Sequence, residues 1–155
     1  MNRTVLFSHA KDEWTTPAPL FAALEAEFGP FDLDCAAAAS TTRCARWLGP
    51  GGVAPDALTS AWGDAATIGF LNPPYSRVLA FMAKAAAEVR THRCTIVVLV
   101  PARTDTRWWH EHVWDARQHA SRPGVEIRFL KGRLKFGGAT NSAPFPSVVL
   151  ILRPV

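Results

Sequence analysis

Cysteine is scarce in this sequence. The three that occur, Cys35, Cys44 and Cys94, are odd in number and lack short paired spacing. That excludes a disulfide framework and a cysteine zinc site, and it points to reduced thiols. No apolar run is long enough to span a bilayer, and Met1 to Lys11 lacks the basic-then-apolar pattern of a secretion signal. Repeats and low-complexity linkers are also missing. The 155 residues fit one domain, 1–155, with 1–11 as a loosely ordered N-terminal segment. These absences predict a cytoplasmic protein with no membrane partner. Basic charge is sparse in the first half, where four Lys/Arg through Tyr75 face eight Asp/Glu; from Ser76 onward thirteen face five. A basic half suggests an anionic partner, of which nucleic acid is the commonest.

What is present reads as alternating helices and strands. Thr16-Pro17 followed by Leu20, Phe21, Leu24 and Phe28 predicts a helix capped by Thr16 and ended by Gly29. Phe31 to Cys35 alternates like a short strand, and Ala36 to Ser60 is irregular. Thr67 to Leu71 reads as a strand, Arg77 to Val89 as a helix and Thr95 to Val100 as a strand covered on both faces. Thr106 to Ala116 reads as a helix and Val125 to Leu130 as a strand, which Arg133 to Phe136 extends. Ser147 to Leu152 is the last strand. The pattern predicts an α/β sheet, parallel at its centre, with the last two strands paired antiparallel as a hairpin because no helix-length connection separates them.

Asn72-Pro73-Pro74-Tyr75 follows the Thr67–Leu71 strand, and its two prolines place it in a loop at the strand's carboxyl end. Ligands of open α/β sheets bind at that edge. The four residues suit an amino group conjugated to a ring or a carbonyl, a poor nucleophile because its lone pair is delocalised. The Asn72 side-chain carbonyl and the Pro73 backbone carbonyl are two acceptors for its two hydrogens. The prolines stiffen the loop, and Tyr75 offers a face for stacking a planar target. No strong general base is required, because the proton leaves after the nitrogen has become cationic. Preorganised hydrogen bonds and placement supply the catalysis.

Several motifs stand in order around this loop: Asp12-Glu13-Trp14-x-Thr16-Pro17, Phe31-Asp32-Leu33-Asp34, Phe70 to Ser76, Pro101 to Trp108, Gly132 to Phe136 and Asn141 to Ser147. Together they resemble the small phage Dam-like DNA N6-adenine methyltransferases from about Asp12 to Leu152. The resemblance implies a Rossmann-like S-adenosylmethionine-dependent methyltransferase fold, trimmed because little chain separates Asp34 from Asn72. It implies S-adenosylmethionine as donor and double-stranded DNA as partner, with adenine flipped out of the duplex. Asn72, Pro73, Pro74 and Tyr75 would be catalytic. Trp14, Thr16 and Pro17 match the segment bordering the methionine part of the cofactor, and Asp34 matches the acidic residue ending the first cofactor-binding strand. Cys35 and Ala36, which open the turn that follows, and Asn72 would also contact the cofactor. That turn lacks the usual glycines, with Cys35-Ala36-Ala37-Ala38-Ala39 in their place. The usual acidic residue before Trp62 is Ala61, which leaves Asp56 and Asp64 as substitutes.

Arg103 and Arg107 follow the Thr95–Val100 strand onto the same edge as the loop. Lys131, Arg133 and Lys135 alternate along an extended segment and share a face. These five are the candidate phosphate contacts. Phe136, Trp108 and Phe145 are candidates for holding a flipped base, under a loop running from Gly137 to Pro146. His110-Glu111-His112 lacks the i, i+4 spacing of a helical metal-binding pair, so no metal is expected. A protein-glutamine or RNA methyltransferase would use the same Asn-Pro-Pro-Tyr loop. A DNA-binding relative that had lost catalysis would keep the same fold.

Overall fold

The computed structural model describes residues 14–155. The segment 1–11, together with Asp12 and Glu13, lies outside the described residues. The first described helix, α1 (Ala18–Phe28), buries Phe21 and Leu24, and the Gly29 N–H closes it onto the Glu25 carbonyl at 2.8 Å. Thr16 does not cap it, contrary to the sequence expectation; Pro17 takes that position. A cap at Thr16 would serve an N–H two or three positions on, and Pro19 has none. The buried Thr16 side chain turns instead to Asn72.

Strands β1 (Leu33–Asp34), β2 (Ile68–Leu71) and β3 (Thr95–Pro101) run parallel. Two later short strands, β4 (Trp114–Asp115) and β5 (Ala120–Ser121), pair only with each other. The chain then returns through β6 (Val125–Phe129) and β7 (Ser147–Leu152), which pair antiparallel as the sequence predicts. β7 inserts against β3, also antiparallel, so the five-stranded sheet has the order β1-β2-β3-β7-β6. The result is a mixed α/β sheet covered on both faces. Alternate side chains of each strand point to opposite sides. Leu71, Ile96, Val98, Val100, Val148 and Leu150 pack under α2 (Val78–His92) and α3 (Arg107–His112). Phe70, Val97, Leu99, Val149 and Ile151 pack with Phe21 and Leu24 of α1. Burial on both faces is why Thr95–Val100 is apolar without alternation.

Three expected elements are shorter than the sequence suggests, the first being the strand expected over Phe31–Cys35, of which only Leu33–Asp34 forms. The helix expected through Ala116 ends at His112. Beyond it, Asp115 Oδ1 accepts the N–H groups of Arg117 and Gln118 at 2.9 and 3.2 Å, a local turn that competes with helical pairing. Residues 133–136 form no strand. Gly132 adopts φ 73° and turns the chain off the sheet, and the Leu134 carbonyl is taken by the Ala143 N–H at 2.7 Å.

Residues 36–60 are irregular, as expected, and the chain is pinned just beyond them at Trp62, which is 1 % exposed. Its backbone N–H donates to Glu88 Oε2 at 2.9 Å and its indole N–H to the Ala57 carbonyl at 2.8 Å. Glu88, also buried, pairs with Lys84 at 2.5 Å. Glu88→Ala leaves a buried N–H without its acceptor and should cost about 1–3 kcal/mol of stability. A lower urea midpoint at unchanged slope is the expected reading; an unchanged midpoint would remove Glu88 from the anchor.

Candidate active site

The carboxyl ends of β1 and β2 set Asp34 and Asn72 side by side at one edge of the sheet. Beyond β2, Pro73 is buried and Pro74 leads into a single 3-10 turn, Tyr75–Arg77, which runs directly into α2. Asn72 is held from the side of the chain that precedes α1. Its Nδ2 donates to the Trp14 carbonyl at 2.5 Å and to Thr16 Oγ1 at 3.0 Å. Its Oδ1 is buried and has no partner among the described residues. A carbonyl such as that of Trp14 can only accept, which fixes the nitrogen toward it and the oxygen away.

Tyr75 sits in a box of aromatic rings. Trp14 stacks on it with centroids 6.3 Å apart and planes 18° from parallel; Phe145 and Phe136 meet it edge-on at 5.4 and 6.2 Å. Trp14 also contacts both phenylalanines, at 5.2 and 5.4 Å. Phe136 and Phe145 thus stand beside the loop, as the sequence suggests, but both are buried. Trp108 does not join them. It packs in the opposite core, edge-on to Trp109 at 5.7 Å, and is no base-holding group. Burial pushes the Tyr75 phenol well above its ordinary range, and its oxygen has no partner among the described residues, so the group stays neutral.

A cavity of about 320 Å³ opens next to Asn72. This is the scale of a small-molecule site. Trp14, Thr16, Asp34, Ala36 and Asn72 line it, as the sequence places them; Cys35 and Pro17 do not. Cys35 is fully buried behind the sheet edge, where a Cβ on Gly69 would come within 2.8 Å of its sulfur. Strand alternation turns it away from the neighbouring Asp34, so the cofactor role expected for it fails on direction. Burial raises the Asp34 carboxyl to about 7, against the lowering effect of the Ala36 N–H, the Thr42 hydroxyl and the Arg43 N–H. The turn without glycines is accommodated by the segment it packs against, where the Ala37 N–H donates to the Leu48 carbonyl at 3.0 Å. Gly49 adopts φ 140°, and a Cβ there would stand 1.9 Å from the Ala37 carbonyl oxygen. Of the two candidate acids, Asp56 lines the cavity. Asp64 instead closes a turn before β2, accepting the Ala66 N–H at 2.9 Å.

Sequence reasoning missed Arg43, whose Nε and Nη2 donate to the Thr16 carbonyl at 3.1 and 2.9 Å, and Arg77 in the cavity wall. A lone arginine in an irregular stretch carries no spacing signal. The five expected phosphate contacts are all exposed. Arg103 lies over the Phe145 ring at 5.7 Å, and Arg107 pairs with Glu111 at 2.5 Å. Among the described residues no group of three His, Cys, Asp or Glu stands together to hold a metal, and no helix is long and apolar enough to cross a membrane.

An Asn-Pro-Pro-Tyr loop at the carboxyl edge of a mixed α/β sheet, beside a cavity with a buried carboxylate, is compatible with a methyltransferase fold. Residues 3–155 match the family described as DNA N-6-adenine-methyltransferase (Dam), and the chain belongs to that family. It is 35 % identical over 111 residues to a DNA N-6-adenine-methyltransferase of Escherichia phage T1, a match covering 72 % of this chain and 43 % of the phage protein. A second relative of the same description, from Haemophilus phage HP1, is 28 % identical over 145 residues, covering 93 % of this chain and 80 % of the relative. The chain thus spans less than half the length of the first relative and most of the second.

Proposed function

We propose that this protein methylates N6 of adenine in DNA with S-adenosylmethionine as donor, on a trimmed Rossmann-like methyltransferase sheet. The observation that carries the reading is the Asn72 carbonyl oxygen, buried and unpartnered at the lip of the cavity. A buried acceptor left open costs stability unless a ligand completes it.

The residues lining the cavity fit the cofactor. Asp34 and Asp56 supply carboxylates for its ammonium or ribose hydroxyls, and Leu48, Pro50 and Pro55 offer apolar walls for its adenine. When bound, the cofactor supplies a methyl group activated on sulfonium sulfur. Asn72 Oδ1 accepts one hydrogen of the target amine and the Pro73 carbonyl the other, favouring the tetrahedral, nucleophilic geometry. Tyr75 stacks on the base, which reaches that ring only by displacing one of the aromatics that box it. The excess proton leaves the nitrogen for water; the neutral phenol of Tyr75 is not its base. If phage-encoded, as its matched relatives are, the protein would do this work in the cytoplasm of the bacterial host.

Incubation with labelled S-adenosylmethionine and duplex DNA, followed by nucleoside analysis, should find label in N6-methyladenine. Label only in cytosine, RNA or protein glutamine would overturn the substrate. The Asp34 carboxyl supplies a pH test. Cofactor donors favour its ionised form, so below about 7 the free protein must lose a proton in order to bind. Affinity for S-adenosylhomocysteine should fall by up to about tenfold per pH unit below that point and level off above it. Calorimetry on Asp34→Asn should find weaker binding without this slope. The same slope in Asp34→Asn would assign the titration to another group.

A further inference from the structure

The contacts around Asn72 carry a second conclusion. The amide has two hydrogens, and both are used: one by the Trp14 carbonyl at 2.5 Å, one by Thr16 Oγ1 at 3.0 Å. The segment that offers these acceptors is itself pinned. Arg43 donates twice to the Thr16 carbonyl, and the Gly137 N–H donates to the Thr15 carbonyl at 2.9 Å. Thr16 is 6 % exposed although its hydroxyl does not cap α1. A buried threonine at the mouth of a helix, facing away from the helix, needs another use for its oxygen.

We propose that Thr16 is a positioning residue for Asn72: its hydroxyl oxygen fixes the amide so that Oδ1, and not Nδ2, faces the target amine. This rests on the reading of Asn72 as the acceptor of that amine. With the Thr16 oxygen gone, only the Trp14 carbonyl restrains the amide. The second N–H is then buried against a methyl group, and rotation about the side chain brings a donor toward a donor. Serine keeps the oxygen. Valine keeps the shape and loses it.

The test uses the full chain in four variants: Thr16→Val, Thr16→Ser, Asn72→Ala and the double variant Thr16→Val with Asn72→Ala. Thr16→Val should lower the single-turnover rate about tenfold at saturating cofactor. Thr16→Ser should restore most of the rate. In the Asn72→Ala background Thr16→Val should have no further effect, because the group it positions is absent. The Asn72 side-chain amide, identified in nitrogen-15 spectra by its loss in Asn72→Ala, should exchange slowly with solvent in the wild type and in Thr16→Ser, and fast in Thr16→Val. A wild-type rate in Thr16→Val, a full tenfold loss in the Asn72→Ala background, or no rescue by serine would each overturn the proposal. If the wild type makes no N6-methyladenine, the functional reading fails on its own. The exchange measurement then still decides the contact, and slow exchange in Thr16→Val would reject it.

Discussion

Asn72→Ala should lower the single-turnover rate of methyl transfer by about a hundredfold or more, the usual scale for loss of one preorganised electrostatic group. The side chain stands at the carboxyl end of β2, held through its nitrogen, with its oxygen buried and without a partner among the described residues. Alanine removes that acceptor and opens the pocket, whereas Asp34 and Asp56, the carboxylates proposed for the cofactor, stay in place. Affinity for S-adenosylhomocysteine should therefore change much less than the rate. Asn72→Asp keeps one oxygen for the substrate but sets the other against the Trp14 carbonyl, where Nδ2 now lies at 2.5 Å. It should retain more activity than alanine and less than wild type. Single-turnover assays with saturating cofactor keep product release from hiding the chemical step. A wild-type rate in Asn72→Ala would remove this loop from the mechanism.

Neutralising Arg103, Arg107, Lys131, Arg133 and Lys135 together should abolish most of the salt dependence of DNA binding. Each phosphate contact removed should lower the log–log salt slope by roughly one unit. Five contacts weaken binding by on the order of several hundredfold between about 50 and about 200 mM salt, and the variant should lose that difference. The five are exposed, and Arg103 stands over Phe145 at the edge of the aromatic box. Arg107 is engaged by Glu111, so its single neutralisation should have the smallest effect of the five. Unchanged affinity and slope in the fivefold variant would make this face plain surface.

The position of the Asn72–Tyr75 loop was legible because its signal is local. A strand that ends in Asn-Pro-Pro-Tyr can only turn, and the turn sits where parallel strands present their ligands. The antiparallel pairing of the last two strands was also expected, but from a connection that looked shorter than it is: Arg133–Phe136 forms no strand, so the whole stretch 130–146 joins β6 to β7 and carries no helix. The insertion of β7 beside β3 was not, because a strand buried on both faces carries no mark of its neighbour. Sequence spacing also misplaced Thr16 and Trp108. Thr16 has the composition of a helix cap and spends its hydroxyl on Asn72, 56 positions away in sequence. Trp108 follows Arg107 onto the catalytic edge in sequence, but α3 turns it into the core beneath α2.

The sequence by itself determined the family, the loop, the carboxylate at the end of β1 and the charge asymmetry between the halves. These are short-range patterns of residue type, and they survive without coordinates. Tertiary structure alone decided that Asp56 and not Asp64 reaches the cavity, and that Gly49 makes room for the alanine turn. It alone placed Arg43, Thr16 and Gly137 around the strap that holds Asn72. Each of these depends on which distant backbone groups are brought within hydrogen-bonding distance, and that is set by how the irregular segments pack on the sheet.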